Sequence, residues 1–182
     1  HSVVLTVTDN GGAQDTITKS VTVASTVDVG WVSPVSFEDP AADWKTEEQA
    51  YDDDAWHDYN YAAQRYSAPG GEWTAFLFLN TPEGGIQPDR IRVLVGDSSP
   101  AYNLLAWDID VYRDGAWVDV YTGTQGSLSE HRPPVDNIEW MEIAFDQGLV
   151  TRMRLRAYNH APGGTTRVRV WEADFHDATV PS

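Results

Sequence analysis

The 182-residue chain contains no cysteine, which removes disulfides and thiolate metal sites and leaves the redox compartment open. No stretch approaches the roughly 20 apolar residues of a membrane-spanning helix, so no membrane insertion is expected. The N-terminus lacks the basic-then-apolar pattern of a signal peptide, so a signal for export, if one exists, lies outside this sequence. Asn-x-Ser/Thr acceptors are also missing. Positive charge is scarce: 12 basic side chains face 28 acidic ones, a net charge of −16. A phosphate backbone would be repelled by such a chain, which excludes nucleic acid as the expected partner. Catalytic signatures are absent as well. His57, His131, His160 and His176 show no H-E-x-x-H or H-x-H spacing, there is no G-x-S-x-G elbow, and Gly70-Gly71, Gly84-Gly85 and Gly163-Gly164 are turn pairs without a strand–G-x-G-x-x-G–helix setting. The acidic residues crowd one segment, whereas glycoside hydrolysis needs two carboxylates across a cleft. The chain reads as a non-enzyme.

Alternating β-branched runs are abundant. The first lie at 1–12 and 15–23, around an Asp9-Asn10-Gly11-Gly12 turn. Two strands bury only one thin apolar face and leave both edges open, so this hairpin needs partners. Its Val3, Leu5, Val7, Thr8, Asp9, Asn10, Gly12, Asp15, Val21 and Val23 resemble the closing strands of a PKD (polycystic-kidney-disease repeat) domain. The resemblance implies an extracellular immunoglobulin-like spacer cut to about its last third. Either the chain is a fragment, or the strands complete a sheet in another molecule by strand addition; Val3, Leu5, Val7, Ile17, Val21 and Val23 are the expected assembly interface.

Residues 26–182 read as a second domain. Up to about Gly71 the chain is polar and without sustained period. Trp73 to Leu79 is apolar at nearly every position and reads as a strand buried on both faces. Arg90–Val95, Trp107–Tyr112, Ala116–Tyr121 and Trp140–Phe145 alternate as strands, with Asp114-Gly115 as a hairpin turn. Thr151–Tyr158 is expected to face Thr166–Trp171 across a loop at 159–164. These two strands hold Arg152, Arg154, Arg156, Arg167 and Arg169, five of the 12 basic residues. Period two places them on one face while Met153, Leu155, Val168 and Val170 point to the core, and Asp108, Asp110 and Glu142 are their expected partners. No helix-period segment of useful length occurs, so the fold class is an all-β sandwich.

The order of motifs resembles a discoidin, or coagulation-factor 5/8 type C, domain of the galactose-binding-like jelly rolls. It is carried by Ala50-Tyr51-Asp52-Asp53-Asp54-Ala55-Trp56, Glu72-Trp73, Ile91-Arg92-Val93, Asp114-Gly115-Ala116-Trp117, Val150 to Leu155, and Val168-Arg169-Val170-Trp171-Glu172. The resemblance implies a jelly-roll β-sandwich preceded by the two-strand immunoglobulin-like segment.

Two candidate sites follow. Between 38 and 58 nine carboxylates stand against one lysine. Within that run Asp52, Asp53, Asp54 and Asp58 offer oxygen ligands suited to Ca²⁺, although the same run also reads as a hydrated loop. The discoidin resemblance implies a structural Ca²⁺ held by Asp52, Asp54 and Glu172. The second candidate is a glycan site made by loop aromatics, among them Trp44, Trp56, Tyr59, Tyr61, Tyr66, Tyr102 and Tyr158, with nearby polar groups. Trp56, His57, Tyr59, Arg65, Tyr102, Tyr158 and His160 are its expected ligand residues; packing in the sandwich is the competing reading of each aromatic. The leading functional expectation is a structural subunit of an extracellular or cell-surface, prokaryotic fibre or tandem array, with copies of itself or neighbouring modules as partners. The alternative is a carbohydrate-binding module of a larger secreted enzyme or adhesin, with glycans as partners.

Overall fold

In a computed structural model, residues 2–8, 11, 14–20, 30–53, 62–67, 73–96, 105–124, 138–159, 166–177 and 179 are described. The chain is all-β, as expected. Strands β1 (Ser2–Thr8) and β2 (Gln14–Ser20) pair antiparallel in a two-stranded sheet of their own, with Leu5 opposite Ile17.

Two five-stranded sheets form the sandwich. The first has the order β4-β6-β11-β8-β9, built from Ser36–Glu38, Leu77–Asn80, Val150–Asn159, Leu105–Arg113 and Ala116–Thr124. The second has the order β10-β7-β12-β3, from Ile138–Ala144, Pro88–Gly96, Thr166–Asp177 and Trp31–Val32, and β5 (Ala63–Ser67) also pairs with β12. A short 3₁₀ turn, Glu47–Ala50, precedes β5. The stretch before Gly71 therefore holds β3, β4, this turn and β5, elements too short to show a period in sequence.

Alternation fixes which side of each strand is buried. In β8, Trp107, Ile109 and Val111 are buried; in β11, Met153, Leu155 and Ala157; in β7, Ile91, Val93 and Val95. These faces meet between the sheets together with Val168, Val170 and Phe175 of β12. Fully burying side chains of this size contributes about 1.5–3 kcal/mol each. A smaller cluster of Ala62, Leu94, Ile138 and Trp171 packs against Trp140, and Leu94 alternates with Val93 and Val95, so this cluster lies on the opposite side of the second sheet. Asp114 and Gly115, with φ of 51° and 85°, close the β8–β9 hairpin as the Asp-Gly pair predicts.

Three expectations need correction. Strands β11 and β12 do not form a hairpin: β11 pairs with β6 and β8, and β12 with β7, β5 and β3. Both send their alternate apolar residues into one core, so the pattern is the same for neighbours in one sheet and for strands opposed across the sandwich. Separation also keeps the arginines of β11 from standing opposite those of β12. Secondly, Trp73–Leu79 is not buried on both faces. Only Leu77–Asn80 is strand, Leu77 and Leu79 are buried, and Trp73 is 40% exposed. Thirdly, Trp44 is a core residue, 3% exposed, whose Nε1 donates to the Ala75 carbonyl at 2.8 Å.

Candidate functional site

The outward face of the first sheet carries alternating planes of arginine and aromatic side chains. The Arg154 guanidinium lies 4.2 Å from the Trp117 ring and 4.3 Å from that of Phe76. Arg156 continues the series, 4.4 Å from Phe76 and 5.1 Å from Trp73. Arg152 sits 5.1 Å from Trp117 and 5.2 Å from Tyr112 at the other end. Each guanidinium also meets a carboxylate: Arg154 with Asp110 and Arg156 with Asp108, both at 2.7 Å, and Arg152 with Glu38 at 3.7 Å. Two of the three expected partners are thus Asp108 and Asp110. Glu142 instead pairs with Arg90 at 2.8 Å, because β10 belongs to the other sheet.

The carboxylates of Asp108, Asp110 and Asp119 converge within 4.8 Å, a grouping with metal-ligand geometry. Two of the three are already neutralised by arginine, so their donors are committed to the sheet.

The series ends at Trp73. Its ring is 5.8 Å from that of Tyr158, and its backbone segment is tied down on both sides. Thr74 N–H donates to the Ala157 carbonyl at 2.9 Å, while Ala75 N–H donates to Asp43 Oδ2 at 3.1 Å. That same Asp43 oxygen pairs with Arg65 Nε at 2.8 Å. Segment 73–75 thereby links Tyr158 and Arg65, two of the expected glycan residues, around an exposed tryptophan that pattern reading had assigned to the core. Tyr158 and Asn159 of β11 run alongside Ala106 and Leu105 of β8. The connections leaving these strand ends are 97–104 and 160–165, which contain Tyr102 and His160. Those two residues, like Trp56, His57 and Tyr59, lie outside the described residues.

A second grouping involves the expected cation ligands. Glu172 of β12 is 3% exposed and its Oε2 has no hydrogen-bond partner among the described residues. Its Oε1 accepts from Ala173 N–H at 3.2 Å. Burial pushes the Glu172 carboxyl up to about 9, the charges of Asp174, Asp52 and Asp53 add to the rise, and the Ala173 N–H opposes it. Asp174, also 3% exposed, is raised by burial and by Asp53, against the pull of Arg92 and Ser33. Ser33 Oγ lies 2.7 Å from Asp53 Oδ1 and 2.9 Å from Asp174 Oδ1. A hydroxyl has one proton, so it satisfies one of these oxygens at a time. Asp52 and Glu172 are thus brought into one electrostatic neighbourhood, together with Asp53, one of the four expected oxygen ligands, and with Asp174, which was not among them; Asp54 lies outside the described residues.

Arg92 brings positive charge to this cluster. It bonds Asp174 Oδ2 at 2.8 Å and is held between Trp31 at 4.4 Å and Trp140 at 4.5 Å. Trp31 is positioned from Gly30, whose φ of 101° and 2.8 Å clearance between a would-be Cβ and His176 Nε2 admit no side chain.

Of the expected assembly residues, Val3, Leu5, Val7 and Ile17 fall on β1 and β2, where backbone pairing is between these two strands; Val21 and Val23 lie outside the described residues.

The fold is a jelly-roll β-sandwich. No protein-family model and no curated protein matches the chain. Solved structures do. The CBM32 (carbohydrate-binding module) of AlyQ, in complex with 4,5-unsaturated mannuronic acid, matches with a TM-score of 0.50 at 12% identity, covering 80% of this chain and 96% of that one. A two-domain protein of unknown function from Bacteroides fragilis matches with a TM-score of 0.50 at 17% identity, over 84% of this chain and 45% of that one. CBM32-1 from a family 31 glycoside hydrolase of Clostridium perfringens gives 0.49 at 13% identity, over 80% and 96%. At these identities the likeness is one of fold. The PKD resemblance of residues 1–25 is not shown by them.

Proposed function

We propose that the chain is a non-catalytic carbohydrate-binding module of a secreted or cell-surface bacterial protein, with its sugar platform at Trp73. One observation carries the reading: an exposed indole, fixed by Arg156 at 5.1 Å and Tyr158 at 5.8 Å, stands beside the Arg65–Asp43 pair. An aromatic face stacks on sugar C–H groups, and a ring already immobilised loses little freedom on binding. The carboxylates here are paired with arginines, an arrangement suited to holding a ligand rather than to acid–base chemistry. The shared fold of the sugar-bound AlyQ module supports the same reading. Trp56, His57, Tyr59, Tyr102 and His160 are proposed to complete the site from the adjoining loops. Trp73→Ala is expected to abolish retention on a glycan array while leaving the unfolding transition cooperative; undiminished retention would sink the proposal.

A Ca²⁺ ion fits the acidic cluster. The buried, unpartnered Oε2 of Glu172 and the surplus of carboxylates match the oxygen-only donor set of this ion. Glu172, Asp52 and Asp54 would hold it, with Asp53 and Asp174 as neighbouring charge, and it would supply the positive charge that fastens segment 51–54 to β12. Addition of Ca²⁺ after EDTA treatment is expected to raise Tm; identical transitions in the two conditions would exclude the ion.

Assembly into a fibre ranks second. Its support is the β1–β2 sheet, in which the two strands pair with each other and, among the described residues, with no further strand. Light scattering that shows monomers at high concentration would remove it.

A further inference from the structure

We propose that a site for small quaternary ammonium cations lies on the outward face of the first sheet, in an aromatic box that the chain fills with its own Arg152. Three rings meet there: Phe78 of β6, Tyr112 near the end of β8 and Trp117 near the start of β9. Tyr112 stands opposite Trp117 in the β8–β9 register and opposite Arg152 in the β8–β11 register, while Phe78 stands opposite Arg154. Period two puts all of them on the one outward face.

The rings form walls rather than a flat stack. Trp117 is inclined at 67° to Tyr112 and at 61° to Phe78, with centroids 5.2 and 5.8 Å apart. The Arg152 guanidinium lies among them, 5.1 Å from Trp117, 5.2 Å from Tyr112 and 5.8 Å from Phe78. One cationic centre within reach of three rings is the arrangement by which aromatic cages hold quaternary ammonium groups. Glu38 adds a carboxylate at the rim, 3.7 Å from Arg152 Nη1 and 3.3 Å from Asn80 Nδ2.

Arg152 is the most loosely held of the three arginines of β11. Arg154 and Arg156 each come within 4.4 Å of a ring and each bond an aspartate at 2.7 Å. Arg152 comes no closer than 5.1 Å to its rings, and its 3.7 Å contact with the half-exposed Glu38 is longer than a hydrogen bond. The β8–β11 register shifts between Val150 and Arg152, an irregularity of the kind that re-aims a side chain. A guanidinium that swings out regains water, whereas a quaternary ammonium has no N–H to hydrate and gains from apolar walls. Arg154 does not oppose the exchange, because Asp110 neutralises it. The net charge of −16 draws cations to the surface.

The test is calorimetric titration of the full chain with choline chloride and with its uncharged carbon isostere, dimethylbutanol. Choline is expected to bind the unaltered chain, to bind Arg152→Ala about tenfold more tightly, and to exceed the isostere about tenfold. Trp117→Ala added to Arg152→Ala is expected to abolish binding. Phe78→Leu, which keeps an apolar side chain, is expected to weaken it about threefold and guards against misfolding of the tryptophan variant. Co-sedimentation of Arg152→Ala with phosphatidylcholine vesicles assigns the ligand to a lipid headgroup; choline binding without it assigns a soluble ammonium compound. Equal affinity of Arg152→Ala and the unaltered chain overturns the box, as does equal binding of the isostere. Binding confined to Arg152→Ala makes Arg152 a permanent filling and overturns it too, and so does a failure of Arg152→Ala to bind choline.

Discussion

The outward faces of the two sheets use the same parts in opposite ways. On the first sheet, Arg152, Arg154 and Arg156 each lie against aromatic rings and each meet a carboxylate, so cations and anions are matched along β11. On the second, Arg92 is likewise held between two rings and paired with Asp174, but Glu172 stands beside it with Asp52 and Asp53 in electrostatic reach. Matched charge leaves a stable face that tolerates exposure. On the second sheet, the buried Glu172 lies among other carboxylates, which disfavours its ionised form.

The strongest way to break this contrast is Arg92→Ala. It leaves Asp174 buried without its cation and removes two cation–π contacts, with an expected loss of about 3–5 kcal/mol in urea unfolding. The equivalent change on the first sheet, Arg154→Ala, strands Asp110, whose side chain is 9% exposed. Solvent reaches that face more easily, so about 2 kcal/mol is expected, with part regained in Arg154→Lys. Equal losses for the two variants would abolish the distinction between the faces.

The pH response sharpens it. The folded Glu172 pKa of about 9 lies above the ordinary 4.5, so between these values the folded state holds a proton that the unfolded state has released. Stability in EDTA is therefore greatest below pH 4.5 as far as this group is concerned, and declines toward pH 9 by up to about 1.4 kcal/mol per unit. Glu172→Gln is expected to flatten the slope, and Ca²⁺ to reverse it by stabilising the ionised carboxylate; an unchanged slope in Glu172→Gln would count against the burial assignment. The smallest effect belongs to Arg152→Ala. Its partner Glu38 is half exposed, at 51%, so the expected cost is about 0.5–1 kcal/mol and shrinks further in salt.

Much of this was legible from residue order. The Asp114-Gly115 turn, the inward sides of β7, β8 and β11, and the choice of Asp108 and Asp110 as arginine partners follow from period two and charge. The sheet membership of β11 and β12 does not, because facing strands and adjacent strands bury the same alternate residues. Trp73 was hidden for a related reason: Phe76 and Phe78 look like core when the arginines that shield them lie more than 70 positions away in sequence. Trp44, in a polar stretch, gave no sign of the Ala75 carbonyl that receives its indole N–H. Glu172 entered only through family resemblance, since nothing local links it to Asp52, 120 positions earlier.

The placement of β12 bears on how the molecule comes into being. It is the last strand in order, yet it sits inside the second sheet, pairing with β7 on one side and with β3 and β5 on the other. A nascent chain emerging from the ribosome thus exposes open edges on three strands until residues 166–177 arrive. Closure by so distant a segment is slow. The interval before it is when this sandwich is most open to aggregation or to a chaperone.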